Sequence, residues 1–215
     1  MVIWALFDSG NGCHKQAVDK YYPNDFEIYS IGLDIKNKND HFLNLDLADY
    51  SELFQKESNM FERLDQLPKP DLILASPPCE SWSTASSVKQ GNVCWYTQEA
   101  SNLLGVMKVD NHFTIQTKKR ITRSNIKRNG HFQTDWDKSV LRRINGELCA
   151  FNTMRIIQRY NPKIWIIENP QGGGFGDITN KFTTLRVLRT WLIIAPTIRS
   201  FRKSRQPFIV ILHCN

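Results

Sequence analysis

An open, parallel α/β sheet with helices on both faces is the fold class this sequence predicts, on three observations. Short runs rich in Ile, Val, Leu and aromatic residues read as buried strands. Longer amphipathic stretches separate them, and strand-helix-strand order implies a parallel sheet covered on both sides. The length, 215 residues, suits a single domain with a full-sized core.

The elements follow in order. "VIWALF" (2–7) is the first strand and 12–21 the first helix. "EIYSIGLDI" (27–35) is the second strand, and a short third one falls near 42–46. A helix is expected over 49–64, opened by Asp49 and Glu52 at capping-box spacing, with Leu53, Met60, Phe61 and Leu64 on one face. "DLILAS" (71–76) is the next strand. Residues 84–145 then break the rhythm: they are polar and irregular, and are expected to form an inserted functional or poorly ordered loop. A helix over 146–160 carries Leu148, Phe151, Ile156 and Tyr160 at helical spacing and stops at Asn161-Pro162. "KIWIIEN" (163–169) is a strand, and the tail holds two more strand-like runs at 190–196 and 207–214.

Charge is concentrated rather than spread. The net charge is +7, and residues 118–143 hold nine Lys or Arg against Asp135 and Asp137, so the rest of the chain sums to zero. Such a block suits a polyanion such as nucleic acid. The five cysteines are scattered without a C-x-x-C pair, which argues against a disulfide framework or a metal site and fits a reducing cytoplasm. No apolar run is long enough to span a bilayer, and a monomer without membrane attachment is expected.

Ligands in such sheets bind beyond the carboxyl ends of the strands, and the unusual residues of this chain fall there. "FDSGNG" (7–12) follows the first strand, with Gly10 and Gly12 allowing close backbone approach. Asp34 ends the second strand at the spacing of a ribose-binding acid, and Asp46 follows the third. "SPPC" (76–79) follows the next strand and "ENP" (168–170) the one after it. Their joint appearance at successive strand ends points to a nucleoside-type cofactor.

In these motifs the chain resembles S-adenosylmethionine-dependent cytosine-5 DNA methyltransferases, in the short form found in phages and mobile elements. The resemblance rests on "FDSGNG", "GLDI", "LDLAD", "SPPCESWS" and "WIIENPQGG", in family order, and covers residues 1–83 and 145–174. It implies a Rossmann-like class I methyltransferase sheet that binds S-adenosyl-L-methionine through Phe7, Asp8, Gly10, Gly12, Asp34, Asp46 and Pro78. It further implies Cys79 as nucleophile and Glu168 as the acid that grips the cytosine. Double-stranded DNA with a flipped cytosine is the implied partner. Asn169, Ser83, Lys119, Arg123 and Arg128 are the candidate substrate contacts, with 84–145 as the DNA-contacting segment.

The chemistry explains the residue types. Carbon 5 of cytosine becomes nucleophilic once a thiolate adds to carbon 6, and an acid at N3 lowers that barrier. Pro77 and Pro78 pre-set the backbone that aims the sulfur. Backbone N–H groups of a helix or turn over 80–86 are expected to favour the thiolate. Past Gly176 the family's later arginine-rich motif has no clear counterpart. An impaired relative that binds cofactor and DNA, and an N6-adenine or N4-cytosine methyltransferase, therefore stay open beside the first reading, as does an RNA substrate.

Overall fold

The computed structural model describes residues 1–9, 12–33, 40–54, 58–83, 92–100, 109–128, 133–170 and 208–214. β1 (Val2–Leu6) leads through α1 (Cys13–Tyr21) to β2 (Glu27–Gly32) and β3 (Phe42–Asn44). α2 (Asn59–Leu64), β4 (Leu72–Ala75), β5 (Trp95–Ala100) and β6 (Val109–Ile115) follow. α3 (Lys118–Lys127), α4 (Trp136–Tyr160), β7 (Ile164–Pro170) and β8 (Phe208–Cys214) complete the order. Six strands form one sheet in the order β3-β2-β1-β4-β7-β8. The first five are mutually parallel, and β8 runs antiparallel to β7. Strand order reverses beside β1, so a ligand crevice is expected beyond the ends of β1 and β4, as in Rossmann-like sheets.

The two faces of the sheet are apolar for the reason the strand composition suggested. Alternate residues of β1 point to opposite sides: Trp4 and Leu6 join a large cluster, Ile3 and Ala5 a smaller one. The large cluster takes Met60, Phe61 and Leu64 from α2 and Ala150, Met154, Ile156, Ile157 and Tyr160 from α4. The smaller one is closed by Val18 of α1 with Phe26, Leu72 and Leu74. Helices therefore cover both faces, as expected.

Three expectations change. The helix expected over 49–64 is a short 3-10 turn at Ser51–Phe54 and a separate α2. Asp49 is the reason: it accepts from Ser51 N, Ser51 Oγ, Ser58 Oγ and Met60 N, and so caps both pieces. Burial pushes its carboxyl up, yet these bonds together hold it below the usual range. Glu52 is not a capping-box partner; it pairs with Arg155 at 2.8 Å.

The second change is the start of α4, ten residues before the expected one, where Asp135 accepts from Asp137 N and Lys138 N as an N-cap. Its end is as expected: Asn161 adopts φ 42° and Pro162 follows. The third is the segment 84–145, whose described part is folded: an antiparallel hairpin β5–β6, then α3, then the first turns of α4. The strand-like run at 190–196 lies outside the described residues. Among the described residues no helix is long and apolar enough to cross a membrane.

Candidate active site

The ends of β1, β4 and β7 converge because these strands are parallel neighbours. Ala75 pairs with Leu6 on one side and Ile167 on the other, so the residues just after each meet in space. Pro77 and Pro78 stop β4, and a one-turn 3-10 segment, Cys79–Ser81, follows. The Cys79 carbonyl accepts from Trp82 N at 3.0 Å and Ser83 N at 2.7 Å, which closes the turn. The Cys79 side chain remains exposed to solvent.

Glu168 and Asn169 leave β7 beside this turn. Asn169, 1% exposed, donates from Nδ2 to the Pro77 carbonyl at 2.9 Å. It thereby locks the end of β7 to the rigid Pro-Pro step, so this candidate substrate contact has its amide donor engaged within the protein. Glu168 is half-buried; burial raises its pKa, opposed by a hydrogen bond from Ser76 and the charge of His14. Its own charge lies close enough to Cys79 to act on the thiol.

That electrostatic action has a sign opposite to the expected one. Burial raises the Cys79 pKa, a hydrogen bond from its own N–H opposes this, and the charges of Glu168 and Glu80 raise it again. A three-residue 3-10 turn presents too short a row of N–H groups to overcome two nearby carboxylates. In the described residues the balance thus runs against the thiolate; residues 84–86 of the helix or turn expected over 80–86 lie outside them. Cys94 and Cys149 are more strongly suppressed, pushed up by burial to about 11 and about 12. Of the three cysteines with described side chains, Cys79 alone is exposed.

α4 packs directly on the nucleophile turn, and a glycine permits it. A Cβ on Gly146 would lie 1.8 Å from Ser81 Oγ and 3.3 Å from the Trp82 indole nitrogen. Arg142 of the same helix pairs with Glu80 at 3.1 Å. Gly146 was not singled out from the sequence, although a glycine inside a helical pattern, costing about 1 kcal/mol relative to alanine, was the available signal.

A second cleft, of about 180 Å³, opens beside the turn and is lined by Phe7, Asp46 and Pro78 among others. These three were expected at a cofactor, and the structure brings them together from β1, β3 and β4. Phe7 sits at φ 64°, a conformation uncommon for a bulky residue and consistent with a constrained strand end. Leu33, Leu45 and Leu47 supply an apolar wall, and α4 adds Asn145 and Cys149, which the sequence reading missed. Asp46 is exposed, and its Oδ1 accepts from Ala48 N at 2.9 Å. The cleft thus combines leucine side chains with one exposed carboxylate.

The remaining expected residues are placed differently. Asp8 is 7% exposed and accepts from Ser30 Oγ at 2.9 Å, and it is not among the residues lining the cleft. Gly12 lies against it so closely that a Cβ would meet Asp8 Oδ1 at 1.4 Å. Asp8 is thus packed between Ser30 and Gly12. Gly10 and Asp34 lie outside the described residues. Ser83 is buried behind the nucleophile turn. Lys119 and Arg123 are exposed one helical turn apart on α3, and Arg128 forms its C-cap.

Comparison with protein-family models and with curated proteins finds no match. Among solved structures, one similar chain is described as a candidate DNA modification methyltransferase encoded within an E. coli prophage. It is 13% identical with a TM-score of 0.39, over 85% of this chain and 36% of that one. The present chain thus spans about a third of that protein's length.

Proposed function

We propose that the chain is a DNA cytosine-5 methyltransferase that uses S-adenosyl-L-methionine, Cys79 as nucleophile and Glu168 as acid. The observation that carries this reading is the meeting of an exposed thiol and a half-buried carboxyl at adjacent strand ends, clamped by the Asn169–Pro77 bond. The cleft beside them, lined by Phe7, Asp46 and Pro78, supports it.

Phe7, Pro78 and the leucine wall would hold the adenosine part of the cofactor, with Asp46 at its polar edge. The bound cofactor supplies an electrophilic methyl group on a sulfonium. Cys79 Sγ forms a bond to carbon 6 of the flipped cytosine while Glu168 delivers a proton to N3, so that carbon 5 gains electron density. Removal of the carbon-5 proton and expulsion of Cys79 Sγ restore the aromatic ring after transfer.

The raised Glu168 pKa fits the role of an acid, whereas the raised Cys79 pKa opposes the thiolate, and protonation of Glu168 removes one of the charges that raise it. A protonated Glu168 exerts no charge on the thiol, so the acid form of one favours the thiolate form of the other. Lys119 and Arg123, with Arg128 at the helix end, would hold the DNA backbone.

The test is incubation of the protein and cofactor with a duplex carrying 5-fluorocytosine. A complex stable to denaturant, abolished by Cys79→Ala, is expected; its absence from the wild type overturns the reading. Glu168→Gln should slow methyl transfer by about 10²–10⁴-fold. Methylation of an exocyclic nitrogen without the covalent complex would assign the chain to the amino-methyltransferases instead.

A further inference from the structure

We propose that Asn92 is a positioning residue that ties the nucleophile turn to the basic helix α3, registering nucleic acid held there against Cys79. The inference rests on the roles proposed above for Cys79 and α3. Asn92 is 2% exposed and stands just before the hairpin. Its Oδ1 accepts from Cys94 N at 2.7 Å and Trp95 N at 2.8 Å, while its Nδ2 donates to the Ser81 carbonyl at 3.0 Å.

The connection continues on the other side. Gln116, also 2% exposed, donates from Nε2 to the Asn92 carbonyl at 2.9 Å. Its Oε1 accepts from Arg120 Nε at 3.1 Å, and the Arg120 guanidinium lies 4.0 Å over the Tyr96 ring. A chain of polar contacts therefore runs from the nucleophile turn, Ser81, through Asn92 and Gln116 to the first turn of α3. Beneath it, Trp82 stacks on Trp95, the first residue of the hairpin, with ring centres 5.6 Å apart and planes 13° from parallel.

A purely local role for Asn92 would need less. Holding the start of a hairpin uses its carbonyl oxygen alone, in an Asx turn. The amide donor that crosses to Ser81 serves no local purpose, and it is buried where only a complete network is stable. The two halves of the side chain therefore carry two separable functions. Asn92→Asp keeps acceptors for Cys94 and Trp95 and removes the donor to Ser81. Gln116→Met, neutral and of similar length, cuts the next link without placing a charge in the interior.

The experiment measures duplex affinity and the rate of covalent-complex formation with a 5-fluorocytosine duplex, on the full chain, for the wild type and both variants. Thermal unfolding selects variants that still fold, and either one suffices. Displacement of a nucleophile by about 1 Å can cost about 10²-fold, so a loss of that order in rate is expected with duplex affinity unchanged. Wild-type rates in a folded variant overturn the proposal, as does a loss of affinity that accounts for the whole change in rate. If the wild type forms no complex, the nucleophile reading has failed and the link is judged by alkylation of Cys79 with iodoacetamide. Release of the turn then makes Asn92→Ser, which loses the donor to Ser81 without adding a charge, react faster than wild type at fixed pH; an unchanged rate rejects the link.

Discussion

Helices α3 and α4 carry five cations each, and the two sets end in opposite conditions. On α3 they are Lys118, Lys119, Arg120, Arg123 and Lys127; on α4, Lys138, Arg142, Arg143, Arg155 and Arg159. Four of those on α4 meet carboxylates: Arg142 with Glu80, Arg143 with Glu147, Arg155 with Glu52 and Arg159 with Asp65. Among the described residues no ion pair reaches α3. Arg120 is engaged by Gln116 and Tyr96, while Lys119, Arg123 and Lys127 are exposed in successive four-residue steps. Positive charge in a sequence is therefore not the same as positive charge available to a partner. α4 is a core helix whose arginines fasten it to the domain, and α3 presents an uncompensated stripe.

The sharpest break of this comparison lies in the apolar side chains. Ile156 of α4 is fully buried, and Ile126 of α3 is 73% exposed. Ile156→Ala should cost about 2–5 kcal/mol in urea unfolding, whereas Ile126→Ala should stay within about 0.5 kcal/mol. Equal losses would mean that α3 is as much a core element as α4.

The charges come next. Replacing Lys119, Arg123 and Lys127 together by Ala should weaken duplex binding and flatten its salt dependence, by about 0.9 in log-log slope for each phosphate that is no longer neutralised. Arg155→Ala on α4 should leave that slope unchanged. A slope that responds equally to both would place the DNA face elsewhere. Stability shows the smallest effect: the Arg155–Glu52 pair is partly exposed, so Arg155→Ala should cost no more than about 1 kcal/mol by thermal or urea unfolding. A larger loss would point to the packing of its guanidinium over Phe61, 4.9 Å from the ring centre.

The same contrast explains which elements were legible. The strands of the six-stranded sheet and α1 were, because apolar runs and turn glycines are local signals. The first turns of α4 were not: Leu141 is 66% and Ile144 42% exposed, so apolar side chains on the outer face spoil the helical pattern. Asp135 was the one local clue. The hairpin β5–β6 was hidden by its composition, since "WYTQEA" and "VDNHFTI" are largely polar. Asp49 misled for a different reason. A capping residue was recognised there, but a single carboxylate that caps two short pieces looks the same in sequence as one that caps a continuous helix.

At the site, the residue types could be read off directly, and their behaviour could not. Cys79, Glu168, Phe7, Asp46 and Pro78 could be named from the resemblance carried by the strand-end motifs, and their roles are those proposed above. The direction of the Cys79 pKa, the inward turn of Asp8 and the close approach permitted by Gly146 were not identifiable.

By itself the amino-acid order determined the strands of the main sheet, the end of α4 and the sequence of motifs at the strand ends, because propensity, capping and turn chemistry act over a few neighbouring residues. Only the tertiary structure decided that the thiol and the carboxyl stand at adjacent strand ends, that burial and two carboxylates push the thiol pKa up there, and that, among the described residues, the arginines of α4 are ion-paired while the cations of α3 are not. Desolvation and Coulomb forces depend on distance through space, and the groups that set them here come from strands and helices far apart in the chain.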